Sequence, residues 1–351
     1  MKKELIIGNH KIGDNHPVYI IAEMSANHNQ DFEQAVGIIH AAKAAGADAI
    51  KIQTYTPDTI TIDCDNEYFR IGKGTIWEGQ TLYNLYKEAY TPWEWQPKLK
   101  KIANSIGLDL FSSPFDYTAV DFLEKMDVPA YKIASPEIID TPLINYIAKT
   151  GKPIIMSTGM ATLAEIDEAI RAAREAGATQ IALLKCTSAY PATPEEMNLR
   201  TISHMAEAFK LPVGLSDHTL GIAVPVAAVA LGGCIVEKHF SLSRSVPGPD
   251  SAFSLDPREF KEMVDAIRVT EKAIGLANYA VTEKEKPSRD FRRSLFVVKG
   301  IQEGEVFTKE NLRSIRPAYG LNPSYIDMII GKVAIKNIAK GTPLRWDHFI
   351  K

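Results

Sequence analysis

The 351-residue chain is short of several things, and each shortage removes a class of function. It has no large charge excess: 40 lysines and arginines face 43 aspartates and glutamates, a formal net charge of −3. Nothing in that balance calls for a nucleic-acid partner or a membrane surface, so any anionic ligand must be held by a local cluster of positive groups. Cysteine is scarce. Cys64, Cys186 and Cys234 are an odd number without metal-ligand spacing and read as reduced thiols. The opening "MKKELIIGNHKIG" lacks the apolar centre of a signal peptide, and no apolar run reaches the length of a membrane span, so the expectation is a cytoplasmic protein. No Walker loop is present, and no glycine-rich dinucleotide turn follows the first strand.

What is present is an alternation. Short β-rich runs occur at "VYIIAE", "ADAIKIQ", "LDLFSSP", "AYKIAS", "PIIMSTG", "QIALLKC", "PVGLSDH" and "CIVEKHF". Between most of them lie stretches with helical spacing, such as 32–45 and 163–176. Several of these close at a glycine where a helix C-cap belongs, as at Gly46, Gly107 and Gly177. Eight strand-helix units in 45% hydrophobic sequence predict an α/β fold, a (β/α)8 TIM barrel. A doubly wound open sheet is the competitor, and the missing glycine-rich turn decides against it. The barrel is expected over residues 1–276, a charged and unpatterned linker over 277–293, and a small β-rich domain over 294–351.

Two local features stand out from this frame. Residues 67–95, after the second strand, hold eight aromatics in 29 positions. They read either as an added helix packing its own small core or as an aromatic lid over the barrel mouth. In the tail, "KGIQEGEVFTKENL" from Lys299 and "KNIAKGTPLRWDHF" from Lys336 match at a constant offset of 37 residues, two copies of one β-turn unit.

Every predicted strand ends in an ionisable or hydroxyl group. The set is Glu23, Lys51 and Gln53, Ser113, Lys132 and Ser135, Ser157, Thr187 and Ser188, Ser216 and His218, and Glu237 and His239. Any one of them reads as a solvated strand end, but all eight strands together point to a shared polar site, because barrel strands deliver their C-terminal ends to one face. Adjacent strands lie about 5 Å apart, close enough for His218 and His239 to share a divalent ion with positions left open for water and substrate. Hydrogen-bonded core histidines are the alternative. Lys51 and Lys132 with Ser113, Ser135, Ser157 and Ser216 describe a pocket for a small phosphorylated acid.

"IAEMSANHN", "KIQTY", "FSSPFD", "YKIAS", "STGM", "CTSAYP", "GLSDHTLG", "EKHF" and "PGPD" occur in the order of the sialic acid synthase family, which the chain resembles over nearly its whole length. "IRPAYGL" and the repeat-containing tail resemble that family's antifreeze-like SAF domain, and "GTIWEGQTLYNLYKEAYTPWEW" resembles its pseudaminic acid synthase branch. The resemblance implies a transferase that condenses phosphoenolpyruvate with an acetamido sugar, here 2,4-diacetamido-2,4,6-trideoxy-L-altrose, with C–O cleavage. It implies His218 and His239 as ligands of a divalent metal, Mn2+ with Mg2+ or Co2+ as substitutes. Lys51, Ser113, Lys132, Ser135, Ser157, Ser216 and Arg316 match positions that bind phosphoenolpyruvate. Gln53, Tyr190 and Asp250 fall where the family contacts sugar or water, and Glu23 is the candidate for managing the water's proton. The same chemistry on a neuraminate or legionaminate precursor is the nearest alternative, and a non-catalytic carbohydrate- or ice-binding protein is the alternative of another class.

Two departures from the family pattern are visible: Ala318 replaces a glycine after Arg316-Pro317, and Ser188 stands where an asparagine is common. A small tail and a long charged linker also predict a homodimer in which the cap domain of one copy serves the barrel of the other.

Overall fold

The computed structural model describes residues 4–349. It divides into two compact units, Met1–Gly275 and Leu276–Lys351. The first opens with a hairpin, β1 (Glu4–Ile7) and β2 (His10–Gly13). The barrel strands follow: β3 (Tyr19–Glu23), β4 (Ala49–Thr54), β5 (Asp109–Pro114), β6 (Tyr131–Ile133), β7 (Ile154–Ser157), β8 (Ile181–Cys186), β9 (Val213–Asp217) and β10 (Ile235–His239). All pair in parallel with their neighbours, and β10 closes onto β3, giving the eight-stranded closed barrel that the alternation predicts.

Alternation along each strand decides what reaches the barrel interior. Ile20 and Ala22 of β3, with Val18 just before it, pack with the outer helices, whereas Tyr19 and Ile21 share a core with Phe111 and Leu215. The same parity turns Glu23 inward. In β4 it turns Ala49, Lys51 and Gln53 inward and leaves Ile50 and Ile52 to the helical layer. The helices form as the pattern expects. Phe32–Ala44 starts on an Asp31 cap and buries Ala35, Ile38, Ile39 and Ala42, one stripe at helical spacing. Leu163–Glu175 starts on a Thr162–Glu165 capping box.

The hairpin was not legible as structure. Its Leu5, Ile7 and Ile12 are fully buried with the barrel core. His10 Nδ1 lies 3.0 Å from Asp109 Oδ2 and the Ile6 amide donates to Gln180 at 2.7 Å, so it lies across the strand starts. The N-terminal end of the barrel is thereby covered.

The aromatic segment after β4 answers to both of its readings. Trp95 packs on Phe32 and His28, Trp93 on Phe122, and Tyr86 on Tyr55, which anchors the segment to the barrel wall. Trp77 alone among its tryptophans reaches the mouth: its indole N–H donates to the Pro249 carbonyl at 3.0 Å and its ring lies 5.6 Å from Tyr190.

In the second unit, β11 (Ser294–Val297) and β12 (Leu312–Ile315) pair antiparallel. The 37-residue repeat is a local two-fold. Ile301 and Ile338 exchange amide hydrogen bonds of 2.9 and 2.8 Å; Gly304 donates to Ala334 and Gly341 to Val297, both at 2.8 Å. The repeated apolar positions Ile301 and Ile338, Phe307 and Leu344, and Leu312 and Phe349 make its small core. No described helix is long and apolar enough to cross a membrane.

Candidate active site

The strand-end residues do converge. Lys51 Nζ is 2.6 Å from Glu23 Oε2 and 3.6 Å from Glu237 Oε1, and Lys132 Nζ is 3.5 Å from the same Glu237 oxygen. All four side chains are buried. Gln53 donates to Glu23 at 3.0 Å and to Ser25 at 2.9 Å, while Lys51 approaches Ser113 at 3.4 Å and Ser216 approaches Glu237 at 3.3 Å. Two ammonium groups are thus held around one carboxylate, with hydroxyls within reach.

Burial is the largest influence on each of these groups, and the ion pairs decide which of them it overcomes. Glu23 stays above the usual carboxylate range because loss of water outweighs the pull of Lys51. Burial pushes Glu237 the same way, but Lys132 and Lys51 together hold it below. Burial lowers Lys132. Lys51, against the same desolvation, is raised by Glu23 and Glu237. Of the two carboxyls, Glu23 is therefore the better proton acceptor.

A serine-lined recess adjoins this network. The Gly159 amide donates to Ser135 Oγ at 3.1 Å, and a Cβ at position 159 would stand 2.3 Å from Ser188 Oγ and 2.7 Å from Ser135 Oγ. Only glycine leaves that space clear. Ser157 Oγ and Ser188 Oγ are buried without a hydrogen-bond partner among the described residues. Buried hydroxyls with no partner are groups that could donate to an anion's oxygens.

On the neighbouring strands the two imidazoles lie 5.3 Å apart, centroid to centroid. His218 Nδ1 is 2.9 Å from the Thr187 carbonyl, which can only accept, so Nδ1 carries a proton. His218 Nδ1 also lies 3.9 Å from Cys186 Sγ. His239 is buried, and desolvation together with the positive charges around it holds its imidazole neutral; its Nδ1 makes no hydrogen bond among the described residues. Asp250 Oδ2 is 3.9 Å from that nitrogen and accepts from the Ala26 amide at 3.4 Å. Among the described residues no three or more histidine, cysteine, aspartate or glutamate side chains are placed to hold a metal by themselves. The donor set fits a divalent ion held by two imidazoles, with the other positions left to water and substrate.

Aromatic rings roof the histidines. Tyr190 stacks 4.3 Å from His218, Phe253 lies 5.2 Å from Tyr190 and 4.9 Å from His239, and Trp77 covers Tyr190 from above. Arg316 belongs to the second unit, directly after β12, and the amide of Ala318 donates to Asp290 at 3.0 Å.

Several residues of this site were not singled out in the sequence reading. Glu237 was visible only as one more strand-end polar group, and its bridging place depends on strand register, which pairs it with Ser216 and Ile21. Gly159 contributes a backbone amide and an absence of volume. Trp77 was one of eight aromatics.

Residues 38–279 match the model of the NeuB family, and residues 292–350 match the SAF domain. The chain is similar to the pseudaminic acid synthase of Campylobacter jejuni, with 47% identity over 95% of this chain and 96% of the relative. It is also similar to the pseudaminic acid synthase of Helicobacter pylori, with 45% identity over 94% and 97%. A solved structure of N-acetylneuraminic acid (sialic acid) synthetase from Leptospira borgpetersenii, in complex with citrate, superposes with a TM-score of 0.73 at 31% identity, covering 82% of this chain and 95% of that one. With a barrel whose strand ends assemble this site, and with matches over most of its length, the chain belongs to the NeuB family and carries a C-terminal SAF domain.

Proposed function

We propose that the chain is a pseudaminic acid synthase, joining phosphoenolpyruvate to 2,4-diacetamido-2,4,6-trideoxy-L-altrose with release of phosphate. The observation that carries the reading is the pair of buried ammonium groups, Lys51 and Lys132, gathered on Glu237 beside the imidazole pair. The names of the relatives at 45 to 47% identity support the choice of sugar.

In this reading Lys51, Lys132 and the hydroxyls of Ser113, Ser135, Ser157, Ser188 and Ser216 bind the phosphate and carboxylate of phosphoenolpyruvate. His218 and His239 would hold a divalent ion, Mn2+ as the family resemblance implies, which would supply Lewis-acid polarisation of the sugar aldehyde when bound. The enol C3 forms a bond to the aldehyde carbon. Water adds to C2, and the C2–O bond to phosphate breaks. Glu23, with its carboxyl raised by burial and fixed by Lys51 and Gln53, accepts the proton of that water. Tyr190 and Asp250, above and beside the imidazoles, contact the sugar. Trp77, Tyr190 and Phe253 offer it an apolar wall suited to a 6-deoxy carbon, where a site for a 6-hydroxyl would need a polar partner.

The second unit, with a core of ten buried apolar side chains, is small for an independent domain. We read it as serving the barrel of a partner copy, with Arg316 adding positive charge to the phosphoenolpyruvate site in trans.

The test is phosphate release from phosphoenolpyruvate with a panel of sugars, before and after chelation and with manganese restored. Metal-dependent release with the trideoxy sugar is expected. Release unaffected by complete chelation would remove the metal from the reading, and preference for N-acetylmannosamine would reassign the sugar.

A further inference from the structure

The two motifs that carry the histidines share one form, Ser216-Asp217-His218 at the end of β9 and Glu237-Lys238-His239 at the end of β10. Strand alternation sends Ser216, His218, Glu237 and His239 to the site face. Asp217 and Lys238 go to the opposite face, where the site has no use for them. They are register partners on adjacent strands, both side chains are 0% exposed, and Lys238 Nζ lies 2.5 Å from Asp217 Oδ2.

The pair belongs to a closed network. Asp217 Oδ1 accepts from the Thr219 amide and the Thr219 hydroxyl, each at 2.9 Å, and Lys238 Nζ also donates to the Thr219 carbonyl. The residues on both sides of His218 are therefore bonded to the residue immediately before His239. A fully buried ion pair is a poor way to gain stability, since well-packed apolar residues of similar volume serve as well or better, so its place here calls for a geometric account. Parallel strand pairing already sets the backbone through Asp217, where β9 ends, and His218 lies one residue beyond it. The network carries the fixed geometry across that last step.

We propose that Asp217, Lys238 and Thr219 are positioning residues, a clamp that sets the separation and aim of His218 and His239 for a divalent ion. This rests on the metal reading above, and the experiment separates the two. Full-length protein is titrated with Co2+ against a chelating dye, a readout independent of turnover, and the visible spectrum of bound Co2+ reports ligand geometry. Lys238→Met alone strands a buried carboxylate, so the informative variant is Asp217→Asn with Lys238→Met, which leaves neither charge; Thr219→Val is a milder companion that removes one hydroxyl. His218→Ala is the reference for loss of a ligand.

The double variant is expected to bind Co2+ at least about tenfold more weakly, within the range seen when groups supporting metal ligands are removed. The Co2+ spectrum should shift, and phosphoenolpyruvate affinity without metal should stay within about twofold of wild type, as a general loss of structure would not allow. Thr219→Val should weaken Co2+ measurably in the same direction, and it decides the matter alone if circular dichroism shows the double variant unfolded. Co2+ affinity and spectrum unchanged in the folded variants, with binding lost in His218→Ala, would overturn the clamp. Unchanged binding in His218→Ala would overturn the metal reading and the clamp with it.

Discussion

Glu137 gives a stability prediction whose size follows from its surroundings. It stands two residues after Ser135, and its Oε2 is buried with no hydrogen-bond partner among the described residues. Desolvation, opposed by a hydrogen bond from its own amide and by Lys132, with Asp140 adding a little, pushes its pKa from 4.5 to about 7. A carboxyl raised on folding binds its proton more tightly in the native state than in the unfolded chain. Its cost is therefore absent below about pH 4.5, grows through the interval, and is complete above about pH 7. At about 1.36 kcal/mol per pH unit, the full interval corresponds to roughly 3 kcal/mol, and because the side chain is only partly withdrawn from water about 2 kcal/mol is the working figure. Glu137→Gln keeps the shape and cannot ionise. Urea unfolding of the barrel, followed at pH 4, 5, 6, 7 and 8, should show the variant gaining about 2 kcal/mol over wild type at pH 8, about a quarter of that at pH 5 and almost nothing at pH 4. Parallel stability curves across that range would show that the carboxyl is solvated in the native state, and the reasoning would fail.

Three further outcomes follow from the site. Glu23→Gln should lower kcat by about 10²- to 10⁴-fold while leaving the KM for phosphoenolpyruvate within a few-fold, in steady-state phosphate release; a loss confined to KM would make Glu23 a binding residue. Wild-type kcat/KM should favour the trideoxy sugar over N-acetylmannosamine by about two orders of magnitude, and Trp77→Ala should cut that preference about tenfold; an unchanged ratio would limit Trp77 to packing. Arg316→Ala and His239→Ala, purified separately and then mixed under subunit exchange, should recover about a quarter of wild-type activity if sites are shared between copies, whereas no recovery would place each Arg316 with its own barrel.

The fold was legible because its signals are local and repeated. β-rich runs bounded by helix caps occur eight times, and a barrel is the arrangement that uses all of them. The position of the site was legible for the same reason, since a barrel turns a list of strand-end residues into a single face. What stayed hidden depended on direction or on backbone. The N-terminal hairpin has two four-residue strands, too short for periodicity to separate from a tail, and only its docking across the strand starts gives Leu5, Ile7 and Ile12 a place. Aromatic density marked the segment at 67–95 but could not tell Trp77, aimed at Tyr190, from Trp93 and Trp95, aimed at the barrel wall.

Glu237 and Lys238 show the limit most sharply. In the sequence they are neighbouring charges in "EKHF" and read as one polar cluster at a strand end. Alternation separates them to opposite faces of β10, where Glu237 gathers Lys51 and Lys132 inside the barrel and Lys238 grips Asp217 outside it. Each partner comes from another strand and is set by register, which no spacing within a single motif encodes. In the proposed reading the two charges belong to different tasks, one electrostatic where phosphoenolpyruvate would bind and one geometric behind the histidines. Substituting them should separate accordingly, with Glu237→Gln altering phosphoenolpyruvate affinity and the paired Asp217→Asn, Lys238→Met change altering metal affinity.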